Sequence, residues 1–465
     1  MKKSIFNVVV SLILISNFVF AYANSGPVIW PAAPSSDIVA VEENSSIEVR
    51  NEMLTFDFND AKNSNYSISG KVTAEYEMYN PTDKKETSVM AFPFVESVRG
   101  FSEDAVSIMA DDNTLPFEVY IGSRIDSIGN YGEEQQKSIY DFNEIVGTIK
   151  RDKYVPYNFS EDETGKLYKI YAEPKADNAN LSVEFNYDSA HTKVMTKGFN
   201  SFSGDGESIR VAAGLWKPEV LEIFILGEDV NLVFEKYKDG TLTEKTDLLH
   251  YEVTSEDILL KDYLKQYTDN GDNDTYNFNE IQLYNMYAKA LDRVFTSNMG
   301  FCSEDMLSEE WYNKRILILV YTVEFPENST KTVSVSYTAA GTMDRRETNT
   351  PQYTFDYILN PAKNWNDFKN LNIRIITPEE APYIIKSSVD FDREADNTYI
   401  ATLNSLPEQD LSFTLYHKDR ISLFDRVDLY KASIIVFLVL IIGAVAAIVF
   451  IAFKIIKIVA ANFVR

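Results

Sequence analysis

Residues 68–78, Ile-Ser-Gly-Lys-Val-Thr-Ala-Glu-Tyr-Glu-Met, decide the fold class. Ile68, Val72, Ala74, Tyr76 and Met78 alternate with Ser69, Lys71, Thr73, Glu75 and Glu77. A period of two puts successive side chains on opposite faces, so this is a strand with one buried face. Asn80-Pro81-Thr82-Asp83 follows. Pro fixes φ, and the short polar side chains of Asn and Asp bond the local backbone, which makes a turn. A second strand is expected from Thr87 to Phe94, and the unit reads as a β-hairpin.

The same design recurs downstream. Leu317, Leu319, Tyr321, Val323 and Phe325 form one face, Pro326-Glu327-Asn328-Ser329 a turn, and Val333, Val335 and Tyr337 the next strand. Shorter alternating runs are Leu54-Phe56-Phe58, Leu181-Val183-Phe185-Tyr187, Tyr353-Phe355-Tyr357, Leu371-Ile373-Ile375 and Leu411-Phe413-Leu415. Many strands with one polar face predict a mainly β fold with some helices, built as antiparallel sandwiches. Two hairpins of like design suggest two related β-domains; convergent patterning is the alternative. Helical spacing appears in Ile139, Phe142, Ile145, Val146 and Ile149, in Ile281, Tyr284, Ala288, Leu291 and Phe295, and around Asp257 to Tyr267. The expected organisation is an N-terminal β-domain at 24–130, a mixed α/β middle region with the helical insertion at 131–310, and a second sandwich-like domain at 311–425.

The composition excludes several classes. Of 465 residues, 70 are acidic and 44 basic, for a net charge of -26. Such a surface repels phosphate, so nucleic acid is not an expected partner. One cysteine excludes a disulfide framework and multi-cysteine metal sites. Hydrophobic residues at 45% with 13% aromatics describe a folding chain rather than a disordered one.

Both ends address a membrane. Residues 1–23 read as a signal peptide: Lys2 and Lys3, an apolar stretch from Ile5 to Phe20, then Ala21-Tyr22-Ala23 as the small-x-small cleavage site. Ala432 to Phe453 run for 22 residues without a charge. At a rise of 1.5 Å per residue such a helix exceeds the hydrocarbon thickness of about 30 Å. Lys454, Lys457 and Arg465 follow it, so the positive-inside bias puts the tail 454–465 in the cytoplasm and the N-terminal bulk outside. The lipid bilayer is therefore the expected partner of residues 432–453. Setting aside Lys2, Lys3, Lys454, Lys457 and Arg465, residues 24–431 hold 39 basic against 70 acidic side chains, a balance of -31.

Candidate chemistry is sparse. Asp269-Asn270-Gly271-Asp272-Asn273-Asp274, running on to Glu280, has acidic ligand types near a calcium-loop spacing. However, Gly271 stands at position three, where a ligand belongs, and Asp274 at six, where Gly belongs. A solvated acidic loop is the plainer reading, with Asn277 as helix N-cap and Glu280 at its third position. Cys302 has no histidine near it in sequence, and His191, His250 and His417 are scattered. A buried thiol and no zinc site are expected. Ser208 has Gly206 before it but Arg210 after it, so a nucleophile elbow is broken. Trp30, Trp216, Trp311 and Trp365 suit either sugar stacking or core packing. No catalytic, cofactor-binding or metal residue is assigned.

Three stretches together resemble an uncharacterised group of bacterial exported or membrane-anchored proteins. They are Gly26-Pro27-Val28 with Glu43-Asn44, Ile47-Glu48-Val49 and Leu54-Thr55-Phe56; Tyr76 to Asn80 with Ala91-Phe92-Pro93-Phe94; and Tyr357-Ile358-Leu359 with Pro361, Trp365 and Leu371 to Pro378. The resemblance implies a β-rich extracytoplasmic domain and carries over no catalytic residue. The expected function is a single-pass, membrane-anchored surface protein with a non-catalytic binding or envelope-structural role, whose partner is an envelope polymer or a membrane protein. The alternatives are an envelope polysaccharide hydrolase with dispersed carboxylates, and an accessory or sensor subunit acting through its transmembrane helix.

Overall fold

The computed structural model describes residues 29–41, 45–64, 66–125, 142–149, 152–175, 178–204, 208–268, 278–359, 365–426 and 440–454. The fold is mainly β, with largely antiparallel sheets, as the alternation predicts. Strand Ser67–Tyr79 buries Ile68, Val72, Ala74, Tyr76 and Met78, the face read from the sequence. Strands Glu48–Ser64, Ala179–Asn186, Gln352–Ile358, Leu371–Ile376 and Leu411–Tyr416 carry the five shorter runs.

The hairpin reading is corrected. Ser67–Tyr79 and the next strand, Glu86–Ser97, lie in different sheets. So do Lys314–Phe325 and Thr330–Ala340. Each unit is an arch that carries the chain from one layer of a sandwich to the other, across the ~10 Å that separates packed sheets. The two arches stack on each other. Val333 faces Tyr76 in one sheet, and Leu319 faces Phe92 in the other. Their turns interlock as well. The Asn80 side-chain amide donates to the carbonyls of Lys84 at 2.7 Å, Pro326 at 3.0 Å and Phe325 at 3.3 Å. The Asn80 N–H donates to Ser329 O, and the Asn328 N–H to Thr82 O, both at 3.0 Å.

Strands from 24–130 and 311–425 thus share sheets rather than forming two separate β-domains. Strand Leu371–Ile376 also runs parallel to Glu48–Ser64 in the same eight-stranded sheet. A second pair of sheets lies inside the middle region. Strands Thr164–Pro174 and Glu219–Gly227 belong to one and Ala179–Asn186 and Ser208–Leu215 to the other. They enclose Ile170, Leu181, Val183, Val211, Leu221 and Ile223.

Helices are few among the described residues. Glu280–Ser297 buries Met286, Ala290, Leu291 and Phe295. Phe142–Thr148 is helical, while Ile139 lies outside the described residues. The helix expected from Asp257 begins at Leu260, because Leu249–Leu259 pairs with Thr164–Pro174 as a strand. The signal peptide, residues 432–439 of the expected span and the tail beyond Lys454 lie outside the described residues. No described helix is long and apolar enough to cross a membrane.

Candidate functional site

The residues singled out by sequence do not converge. Residues 269–277 of the acidic loop lie outside the described residues. The N-cap of the following helix is Asn279, not Asn277: its side chain accepts from the Ile281 N–H at 2.8 Å. Glu280 pairs with Lys265 at 3.3 Å. Cys302 is buried, and burial pushes its thiol pKa well up, away from the nucleophilic form. His191 sits 2.8 Å from Asp188, His250 is 3.3 Å from Glu252, and His417 packs on Tyr416. Ser208 opens a strand. Among the described residues no group of three or more His, Cys, Asp or Glu side chains is placed to hold a metal.

The tryptophans divide. Trp365 is core, and Trp311 packs against Tyr287. Trp216 and Trp30 are exposed, and Trp30 stands with Tyr66 at 4.8 Å between ring centroids. Trp30 also edges a cavity of about 510 Å³. Residues 30–35 make one wall: Ile29–Trp30 pairs with Thr342–Asp344, and the Ala32 N–H donates to Thr342 Oγ1 at 3.0 Å. Phe94 and Tyr337 supply further aromatic surface, one from each sheet of the sandwich. At the rim Lys314 is hydrogen-bonded to Glu96. An apolar lining with a few polar groups in this size range suits a small ligand.

The least expected feature of the core is a pair of acids. Asp37 and Glu52 are both fully buried, at 0% exposure. Glu52 keeps phase with Leu54, Phe56 and Phe58 on the inner face of its strand, a position the alternation assigns to an apolar residue. It is the cross-strand neighbour of Tyr76. The Tyr76 hydroxyl donates to Asp37 Oδ1, which also accepts the Ile38 N–H at 2.8 Å. Asp37 Oδ2 and both Glu52 oxygens have no hydrogen-bond partner among the described residues, nor do the hydroxyls of Tyr321 and Tyr357. Burial pushes the Asp37 carboxyl up to about 7, against the pull of its bonds to Tyr76 and Ile38. Burial, and then the Asp37 charge, drives Glu52 well up too. Among the described residues no basic side chain is paired with either acid, so burial favours the protonated forms over two bare charges side by side. The sequence reading singled out neither acid: the only signal for Glu52 is its place two residues before Leu54 in an apolar phase, and Asp37 offers none.

Another buried acid is compensated. Glu310 accepts from Arg315 and Arg293, both at 2.6 Å, and lies 3.6 Å from Arg124. Arg315 also donates to Gly122 O at 3.2 Å.

No family model matches the chain, and no curated protein matches it. Among solved structures, it is similar to the crystal structure of a candidate nutrient binding protein from Legionella pneumophila. The identity is 11%, the TM-score 0.34, and the match covers 84% of this chain and 73% of that one.

Proposed function

We propose that this chain is a membrane-tethered extracytoplasmic binding protein of the bacterial surface, without a catalytic step of its own, and that the cavity beside Trp30 receives a saccharide ring of an envelope polymer. The observation that carries this reading is the cavity. Its lining sets Trp30, Phe94 and Tyr337 beside the Glu96–Lys314 pair, aromatic faces for the apolar side of a sugar and polar groups for its hydroxyls. Support for the tether comes from residues 440–454. They are helical, and Leu440, Ile442, Phe450 and Phe453 are 64–68% exposed, an apolar surface that the other described residues leave open. The tether would leave residues 24–431 outside and 454–465 in the cytoplasm.

Glycan arrays and wall-polymer pull-downs on purified residues 24–431 test the ligand class. Binding that falls about tenfold in Trp30→Ala, the loss of one stacked ring at about 1.4 kcal/mol, is the expected result. Absence of binding to any saccharide removes this ligand class.

A further inference from the structure

Just before the proposed tether, the turn Leu423–Arg426 holds two apolar side chains out from the body. Phe424 is 85% exposed, more than any other large apolar side chain among the described residues, and its neighbour Leu423 is 82% exposed. Isolated exposed hydrophobics are ordinary, but adjacent ones on a rigid support are not. The support here is Asp425. Its carboxylate accepts from the Ser422 hydroxyl at 2.6 Å, the Ser422 N–H at 2.8 Å and Lys418 at 2.5 Å. The Asp425 carbonyl takes the Asn349 N–H at 2.8 Å, which ties the turn to the sandwich. The side chain that is buried is the acid; the two that are presented are Leu and Phe.

We infer that Leu423 and Phe424 insert into the outer-leaflet interface of the bilayer that the apolar segment enters, so that the body is held against the membrane at a fixed face rather than hanging from a free linker. The inference rests on the tether proposed above. Continuity of the chain names the occupant. Seven residues, 425–431, separate Phe424 from Ala432. Even fully extended, the eight steps from Phe424 to Ala432 span only about 29 Å, so the turn stays within that reach of the headgroups. Local charge fits an anionic lipid surface better than the rest of the body does. Residues 417–431 carry Lys418, Arg420, Arg426 and Lys431 against Asp419, Asp425 and Asp428, in an outer portion that is otherwise strongly acidic. An aromatic ring with basic neighbours is the usual composition of an interfacial anchor.

The test uses the full chain in phosphatidylcholine–phosphatidylglycerol nanodiscs. Phe424→Cys is labelled with a nitrobenzoxadiazole dye; Cys302 is buried at 0% exposure, so the label goes to the new thiol, and unsubstituted protein gives the blank. Val155→Cys, at a site 83% exposed in the body, is the control. The expected result is a blue-shifted emission at 424 that loses about half its intensity with a lipid spin-labelled near the headgroup, the depth of about 5–10 Å at which interfacial side chains sit. The control is to remain water-like. A label at 424 that matches the control overturns the inference. So does a blue shift without lipid quenching, which would mean that the chain itself covers the turn. Alkaline carbonate extraction separates the two levels. Protein that stays with the membrane while the 424 label is water-like refutes the insertion alone, whereas protein that is extracted refutes the tether and the insertion together.

Discussion

The buried pair Asp37 and Glu52 predicts that this protein loses stability as pH rises through neutrality. The Asp37 carboxyl moves from 3.8 to about 7 on folding. A raised carboxyl stabilises the folded state fully below its unfolded pKa, and that contribution is lost as pH climbs through the folded one. A shift of about three units is worth about 4 kcal/mol over the full span, of which about 3 kcal/mol falls between pH 5 and pH 9. Glu52, raised by burial and by the Asp37 charge, adds in the same direction. Surface carboxylates are already ionised by pH 6, so they contribute little slope in this window. The perturbation is Glu52→Gln, Asp37→Asn and the double variant, which remove the titrating protons while keeping the side-chain volume. The assay is the urea midpoint from pH 5 to pH 9. The unsubstituted protein should weaken steadily, each single variant should show a shallower decline, and the double variant should be nearly flat. The absolute stability of the variants is not diagnostic, since an amide in either place has its own bonding demands. If unsubstituted and doubly substituted proteins share one slope, the two acids are not held protonated in the core and the reasoning fails.

Three further substitutions probe other parts of the fold. Asn80→Ala removes the amide that bonds three carbonyls across the two turns, and chemical denaturation should show a loss of about 2–4 kcal/mol, one unsatisfied buried group at a time. Glu310→Ala leaves the buried Arg315 guanidinium without its counter-charge, a loss of about 3–5 kcal/mol by the same measurement. Gly227→Ala meets both a backbone φ of +97° and the His191 carbonyl at 2.1 Å from the new Cβ. A lowered melting temperature corresponding to at least about 2 kcal/mol is expected from calorimetry.

Sequence alone showed which face of the clearest strands is buried, because the period of two is a local property of a pleated backbone, although it expected helix from Asp257 where Leu249–Leu259 is a strand. Ile68–Met78, Leu54–Phe58 and Leu371–Ile375 all bury the side chains the alternation names. It also marked Cys302 as a buried thiol, which the structure bears out. It did not say which strand lies beside which. Hydrogen bonding along a strand edge is much the same for any partner, so a turn such as Asn80–Asp83 fixes a reversal of the chain and not the sheet that receives it. Only the packed tertiary structure turned two expected hairpins into stacked arches. The same step brought Asp37 onto the hydroxyl of Tyr76 beside Glu52, a meeting across 39 residues of chain that no local pattern encodes.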